Sequence, residues 1–367
     1  MKILHLISNS GLGGAQIMVR DLIQHSQNQY VYAFRKDKND VFEGLNDKVF
    51  YCDLKKSHKF NFRILFDLKR LIKKHQFSIL HTHLGKPLIY AYLLKIFNSK
   101  LKIIHHEHGL ICGDDHRPEC KTLWWYKWYL KLLQGKVDQY ILISKFIYEL
   151  YKNKVKLPEN KLKLLYNFID PNKHHRLSYS EIERERNKLN LKNTDFVVGF
   201  AGRLVARKGW DTFLQAAKRL TQTQKNYKFL IAGSGPGKDS VLSFIHCHKL
   251  SDSILYLGFI KDMNKFYAIL NCLCMVSHWE PMGLAHIEAQ ACGAPVIATD
   301  IPGLNETLTK NNCFFIKKGD YEDLVTKLEL LKNNPDKSEH LIKEGYKNAK
   351  KYSLEDYLNN LKLIYHQ

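Results

Sequence analysis

The amino-acid sequence predicts an α/β fold in which two parallel sheets, each covered on both faces by helices, follow one another along the chain. Three features predict it. Short apolar runs of strand length alternate with helical patterns throughout, as parallel strands with crossover helices require. The alternation stops over residues 170–195, a polar and heavily charged segment, and then starts again. At 367 residues the chain is also too long for one ordinary core and suits two domains of typical size.

Strand candidates in the first half are residues 2–8, 31–34, 49–53, 79–83, 103–106, 140–144 and 162–166, with helical patterns such as 62–75 and 87–97 between them. The second set comprises 196–202, 229–232, 255–257, 273–276, 296–299 and 314–316. Residues 321–332, 338–350 and 354–365 read as three closing helices. The expected domains are 1–170 and 171–352. Open α/β sheets bind ligands past the carboxyl ends of their strands, so chemistry is expected there.

Composition narrows the function. Hydrophobic residues make up 45% and charged residues 25%, the balance of a globular protein rather than a disordered one. No apolar run reaches the roughly 18 residues that span a bilayer. The first eight residues read as a strand, not a secretion signal, so the expected location is cytoplasmic. Lys+Arg 57 against Asp+Glu 36 gives a net charge of +21, which calls for an acidic partner: nucleic acid, an anionic membrane or a phosphorylated substrate. The 8 cysteines are scattered and read as free thiols of a reducing compartment. Cys112 and Cys120 are too far apart for a compact metal knuckle.

Three stretches carry chemistry. Gly11, Gly13 and Gly14 follow the first strand and lead into a helix, where glycines let backbone approach an anion. Arg203 and Lys208 follow the strand at 196–202; a guanidinium fork and an ammonium suit the two phosphates of a diphosphate. Glu280 precedes a Pro-Met-Gly-Leu turn, and Glu288 lies eight positions on, inside the next helix. Backbone N–H groups of Gly283 and Leu284 would meet an anion at that helix start, and Glu288 could accept hydrogen bonds from sugar or ribose hydroxyls.

Through these residues the chain resembles the retaining glycosyltransferases of family 4. Their Glu-x7-Glu element is matched by Glu280 and Glu288, and their Gly-Arg…Lys-Gly element by Gly202, Arg203, Lys208 and Gly209. The Gly233-Ser-Gly turn is similar to the family's glycine turn, and the loop ending at Ile260 to its base-edge loop. Residues 166–170 resemble the hinge into the second domain, and the resemblance implies that a final helix over 353–367 packs back on the first. The resemblance implies the GT-B fold: two doubly wound Rossmann-like domains facing across a cleft, the second holding the donor. It implies that Arg203 and Lys208, with the turn at Gly13 and Gly14, hold the diphosphate of a UDP-, GDP- or ADP-sugar. Glu288 would bind the ribose and Glu280 the transferred sugar, with Gly233, Ile260, Met282, Gly283 and Leu284 completing the donor site. The family often has Gly-Phe-Gly where this chain has Pro-Met-Gly-Leu.

Histidines crowd two strand ends in the first half: His81-Thr-His83, then His105-His106-Glu107-His108-Gly109. His-x-His is a metal-ligand spacing and by itself would suggest a zinc or di-metal hydrolase. Histidines hydrogen-bonded at strand ends are the plainer reading of His81, His105 and His106. His108 before Gly109 resembles the family's active-site histidine, and His83 and Lys86 are placed on the acceptor side. No Asp-x-Asp pair occurs in the sequence to hold a divalent ion on the donor phosphates, and Arg203 and Lys208 can substitute for a metal, so metal-independent chemistry with no cofactor is expected.

Residues 121–134 are aromatic and basic, a helix with Lys127, Lys131 and Gln134 in one stripe. It reads either as a buried helix or as an interfacial one with Trp124, Trp125 and Trp128 as anchors on an anionic membrane. The expected activity is transfer of a sugar, with retention, to a hydroxyl of a glycan or lipid-linked acceptor in bacterial envelope assembly (lipopolysaccharide, capsule or lipid-linked oligosaccharide). A GT-B sugar-nucleotide epimerase would instead act on the donor with no acceptor. A nucleic-acid-binding protein would explain the charge, but the sequence has no RRM-type aromatic signature, zinc-finger spacing or compact basic run.

Overall fold

The computed structural model describes residues 1–52, 60–109 and 121–367, with side chains of the last segment from Trp125 onward. Cys112, Cys120 and the Trp124 side chain lie outside the described residues. The strands are β1 Ile3–Ile7, β2 Gln29–Ala33, β3 Val49–Tyr51, β4 Ile79–His83, β5 Lys102–Glu107, β6 Gln139–Leu142, β7 Leu162–Leu164, β8 Phe196–Ala201, β9 Tyr227–Ala232, β10 Ile254–Gly258, β11 Cys272–Met275, β12 Val296–Thr299 and β13 Phe314–Ile316. The helices are α1 Gly14–Gln24, α2 Phe62–His75, α3 Gly85–Phe97, α4 Lys121–Leu133, α5 Lys145–Leu150, α6 Tyr179–Lys188, α7 Trp210–Thr223, α8 Lys238–Cys247, α9 Met263–Ala268, α10 Ala285–Ala291, α11 Tyr321–Asn333, α12 Pro335–Ala349 and α13 Leu354–His366.

These elements form two compact units. Unit 1 takes the described residues up to Tyr166 and adds Leu358–Gln367; unit 2 takes Asn167–Tyr357. Helix α13 starts in unit 2 and ends in unit 1, where the Tyr365 hydroxyl lies 2.7 Å from His81 Nδ1. The Lys102 ammonium donates to the carbonyl of Tyr365 at 3.0 Å. No helix among the described residues is long and apolar enough to cross a membrane.

Unit 1 holds a seven-stranded sheet in the order β3-β2-β1-β4-β5-β6-β7, and unit 2 a six-stranded sheet in the order β10-β9-β8-β11-β12-β13. The paired strands run parallel. Strands buried on both faces, such as β8 and β11, read as continuous apolar runs. In unit 2, Val198 and Phe200 join the core on one face of β8, and Val197 and Ala201 that on the other. The strand order reverses between β1 and β4 and between β8 and β11, and such switch points open crevices at the carboxyl ends. Gly13, His83, Arg203 and Glu280 all follow or end strands flanking those two points.

Helix α6 falls inside the charged segment where the sequence shows no strand. A reciprocal Ser178–Glu181 capping box starts it. Arg186, its one buried residue, donates to the carbonyls of Ile269, Lys192 and Asp195. Its apolar face is too narrow to stand out as periodicity.

Candidate functional site

In unit 2 the loops after β8, β9 and β10 are knitted at their backbones. The N–H of Gly202 donates to the carbonyl of Ala232, Gly233 to Gly258 and Leu204 to Ser234. Gly233 sits at φ +141°, and a Cβ there would lie 1.9 Å from the Gly202 carbonyl oxygen. Only glycine permits that approach. It fixes where the chain leaves β8, with Arg203 exposed at the exit. Gly209, at φ +68°, likewise abuts the carbonyl of Val276 and draws the Arg207–Lys208 turn against the end of β11.

That approach brings Lys208 to Glu280. Lys208 Nζ lies 2.5 Å from Glu280 Oε2, which also accepts from the Ser277 hydroxyl at 3.3 Å. Glu280 is 4% exposed. Burial opposes its ionisation, but the Lys208 ammonium, Arg207 and the Ser277 hydroxyl outweigh burial and hold the carboxyl below its usual value. Arg207 lies with its guanidinium carbon 5.7 Å from the Trp279 ring centroid, and its Nε and Nη1 are buried with no hydrogen-bond partner among the described residues. Two unsatisfied donors of a cation are costly unless an anion or ordered water meets them.

Past Glu280 the chain turns through Gly283 at φ +77° into α10, capped by Leu284. Met282 is buried, with its sulfur 3.3 Å from the Asn167 backbone nitrogen. Glu288 projects from the first turn of α10 and accepts from the Tyr267 hydroxyl at 2.8 Å, with His174 Nε2 3.8 Å from its other oxygen. Ile260 packs partly buried against the core beside β10. His286 is fully buried, its Nε2 2.7 Å from the Thr307 hydroxyl; burial lowers its pKa to about 3. The sequence motifs do not single out Arg207, Tyr267, His174 or His286. Arg207 stands beside Lys208 and could have been found; Tyr267 and His174 reach Glu288 only through tertiary packing.

In unit 1 the alternation of a strand sorts the histidines onto two faces. The register pairs His5 with His81, Thr82 with His105 and His83 with His106. His5, His81, His83, His106 and, past the strand, His108 therefore share one face. On the other, His105 is 2.9 Å from Glu107 and 2.7 Å from Thr82, and the Tyr126 hydroxyl donates to the same Glu107 oxygen. His5, His81, His83, His105 and His106 are fully buried, and His108 is partly exposed. Burial is the main cause lowering the pKa of His5 to about 4 and of His108 to about 3; His81, His83 and His106 are driven well below the ordinary value by burial and by one another.

Two sets of three, His5/His81/His83 and His83/His106/His108, each bring one nitrogen per ring within 4.8 Å of the others. Two contacts in them are as short as 2.9 Å: His5 Nδ1 to His83 Nε2, and His83 Nδ1 to His108 Nε2. Zinc–nitrogen bonds of about 2.0–2.1 Å at tetrahedral angles would hold ligand nitrogens roughly 3.3 Å apart. A separation of 2.9 Å is that of an N–H donating to a nitrogen lone pair. Gly13 caps α1 in extended conformation, and a Cβ on it would strike Gln16, whereas Gly14 faces open space. Lys86 lies in the first turn of α3, whose N-cap, Leu84, adopts φ 66°.

Two parallel, doubly wound sheets with charged and glycine-rich loops at their switch points are the architecture of the GT-B fold. The chain matches the Glycosyltransferase Family 4 family over residues 12–173 and the Glycosyl transferases group 1 family over residues 181–348. It belongs to the family 4 glycosyltransferases and is a nucleotide-sugar glycosyltransferase. It is 26% identical over 318 residues to the O-antigen biosynthesis glycosyltransferase WclY of Escherichia coli, covering 82% of this chain and 81% of that one. It is 27% identical over 270 residues to the UDP-Gal:alpha-D-GlcNAc-diphosphoundecaprenol alpha-1,3-galactosyltransferase of Escherichia coli, covering 72% and 68%. The fold is that of Anabaena Alr3699/HepE, solved in complex with UDP-glucose, at TM-score 0.84 and 18% identity over 100% of this chain and 99% of that one.

Proposed function

We propose that this enzyme moves a hexose, with retention at the anomeric carbon, from a UDP-sugar to a hydroxyl of a lipid-linked acceptor in bacterial envelope glycan assembly. The observation that carries the reading is the cationic cluster at the β8/β11 switch point, where Arg207 has buried donors to spare and Lys208 is aimed by Glu280. Cleavage of the donor's glycosidic bond puts negative charge on the leaving diphosphate. Arg203, Arg207 and Lys208 stabilise that charge as fixed groups needing no reorganisation. Glu288, oriented by Tyr267, accepts from the ribose hydroxyls, and Ile260 flanks the base. Glu280 and His108 act on the transferred sugar, and the N–H groups of Gly283 and Leu284 and the turns at Gly14 and Gly233 assist the diphosphate. Lys86 belongs to the acceptor side, whereas His83, buried with both ring nitrogens engaged by His5 and His108, acts only through His108.

UDP is favoured among the donor nucleotides because the similar Anabaena enzyme was solved with UDP-glucose and the similar galactosyltransferase is named for UDP-Gal. The latter name also supports a diphosphoundecaprenol acceptor. A lipid-linked acceptor fits helix α4, where Tyr126, Leu130 and Leu133 are buried while Trp125, Trp128 and Leu132 are 70%, 58% and 75% exposed. Exposed tryptophans beside Lys127 and Lys131 suit the headgroup boundary of an anionic membrane at the cytoplasmic face. The test is a thermal-shift screen against UDP-, GDP- and ADP-sugars, since a ligand of the folded state raises the melting point with its saturation. Stabilisation by UDP-sugars alone is expected. Stabilisation by none of the three classes contradicts the reading.

A further inference from the structure

The short contacts in unit 1 extend beyond the histidines. Gln29, at the start of β2 and 5% exposed, places its Oε1 2.7 Å from His5 Nε2. His5 Nδ1 then meets His83 Nε2 at 2.9 Å, and His83 Nδ1 meets His108 Nε2 at 2.9 Å. Facing rings are nearly parallel, with interplanar angles of 19° and 29° and centroids 5.2 and 5.1 Å apart. With nitrogens 2.9 Å apart, those centroid distances leave about one ring radius at each end. The rings therefore meet head-on, edge to edge, rather than face to face. This is a single file of hydrogen bonds from a buried amide to the partly exposed His108.

Such a file has a direction. A carbonyl oxygen only accepts, so His5 carries its proton on Nε2. A neutral imidazole has one N–H, so His5 Nδ1 is an acceptor and His83 must donate from Nε2. By the same step His83 Nδ1 accepts and His108 donates from Nε2. The one nitrogen left outside the file is His108 Nδ1, bearing a lone pair. A second N–H is unavailable to each ring because the dry surroundings disfavour a charged imidazole.

We propose that Gln29 is a positioning residue: through His5 and His83 it fixes His108 in the Nε2–H tautomer, so that His108 Nδ1 accepts a hydrogen bond from a hydroxyl of the transferred sugar. The last clause rests on the functional reading above; the tautomer does not. Without the file, His108 would populate both tautomers and present a donor for part of the time. With it, a donor sugar lacking the matching hydroxyl leaves that lone pair unmet by the sugar, which is a basis for sugar discrimination.

The test is side-chain nitrogen NMR on protein labelled with 15N-histidine and treated with EDTA, read for wild type and Gln29→Met. The expected wild type shows His5, His83 and His108 each protonated at Nε2. A proton on His108 Nδ1, or mixed tautomers in wild type, overturns the proposal, as would nitrogen shifts that change on adding zinc alone. Gln29→Met, which removes the acceptor at nearly constant volume, should give mixed tautomers at His108, three hydrogen bonds away; an unchanged His108 overturns it. Should that variant not fold, His5→Gln, which interrupts the file one step on, is read in the same way. Adding UDP-glucose to wild type should shift His108 Nδ1. If UDP-glucose raises the melting point yet leaves that resonance unmoved, the sugar contact is overturned separately, while the ordered tautomer stands.

Discussion

Lys208 and Glu280, 72 positions apart in the sequence, form an ion pair with Nζ 2.5 Å from Oε2 and side chains 15% and 5% exposed. The pair joins the loop after β8 to the loop after β11 and makes one structure of two motifs. Lys208→Ala should therefore do two things. It should lower kcat/KM by about 2–4 kcal/mol of transition-state stabilisation, the loss of one preorganised charged donor. It should also lower the melting point, because Glu280 is left buried without its main counter-ion. Kinetics and calorimetry on the purified variant check both; wild-type values in either contradict the pairing.

Tyr267 holds Glu288 through a 2.8 Å hydrogen bond. Tyr267→Phe removes only that hydroxyl. If Glu288 receives the ribose, KM for the donor should rise by roughly five- to fifty-fold, corresponding to about 1–2.3 kcal/mol for a bond to a charged acceptor, with kcat little changed. A fall in kcat at constant KM would place Glu288 in the chemical step instead.

Acid should unfold this protein earlier than its carboxylates require. His5 and His108 have folded-state pKa values of about 4 and 3, and His81, His83 and His106 lie well below the ordinary 6.5. As pH drops below about 6.5 the unfolded chain binds protons that the folded chain refuses, so stability falls. The loss runs from about pH 6.5 down to the folded values, at up to about 1.4 kcal/mol per pH unit for each histidine. Urea midpoints should drop steeply between pH 7.5 and 5.5. A flat profile across that window contradicts neutral burial of these imidazoles.

Helix α4 presents Trp125, Trp128 and Leu132 to solvent, beside Lys127 and Lys131. Each lysine near an anionic leaflet contributes about 1 kcal/mol, screened over a Debye length of roughly 8 Å at physiological salt. Co-sedimentation with vesicles containing anionic lipid should weaken as salt rises and weaken further in Lys127→Glu/Lys131→Glu. Equal binding to neutral and anionic vesicles would leave the aromatic face without a membrane role.

The strand-end positions of the charged residues could be read in the sequence, because apolar runs mark strands and loops follow them. Arg203, Lys208 and Glu280 are legible that way, and Glu288 by its spacing of eight from Glu280. What joins Lys208 to Glu280 could not be read, since it depends on β8 lying next to β11 and on Gly209 abutting Val276. The crowding of histidines at two strand ends showed in the sequence, but their sorting onto two faces comes from the register. The file from Gln29 to His108 did not show, because it needs β1 between β2 and β4 to bring His5 within reach of both Gln29 and His83. Helix α4 left burial and exposure equally open in sequence, and packing decided which aromatic rings face out.

The central claim is that the loop after β8 grips the diphosphate of a nucleotide sugar through fixed cations. Calorimetric titration of UDP-glucose into wild type and Arg203→Ala, both in excess EDTA, tests it most directly. Wild type should bind with its affinity intact in EDTA, and Arg203→Ala should bind at least tenfold more weakly, the loss of a charge-assisted contact. Equal affinities in the two proteins, or binding that EDTA abolishes and magnesium or manganese restores, would contradict it.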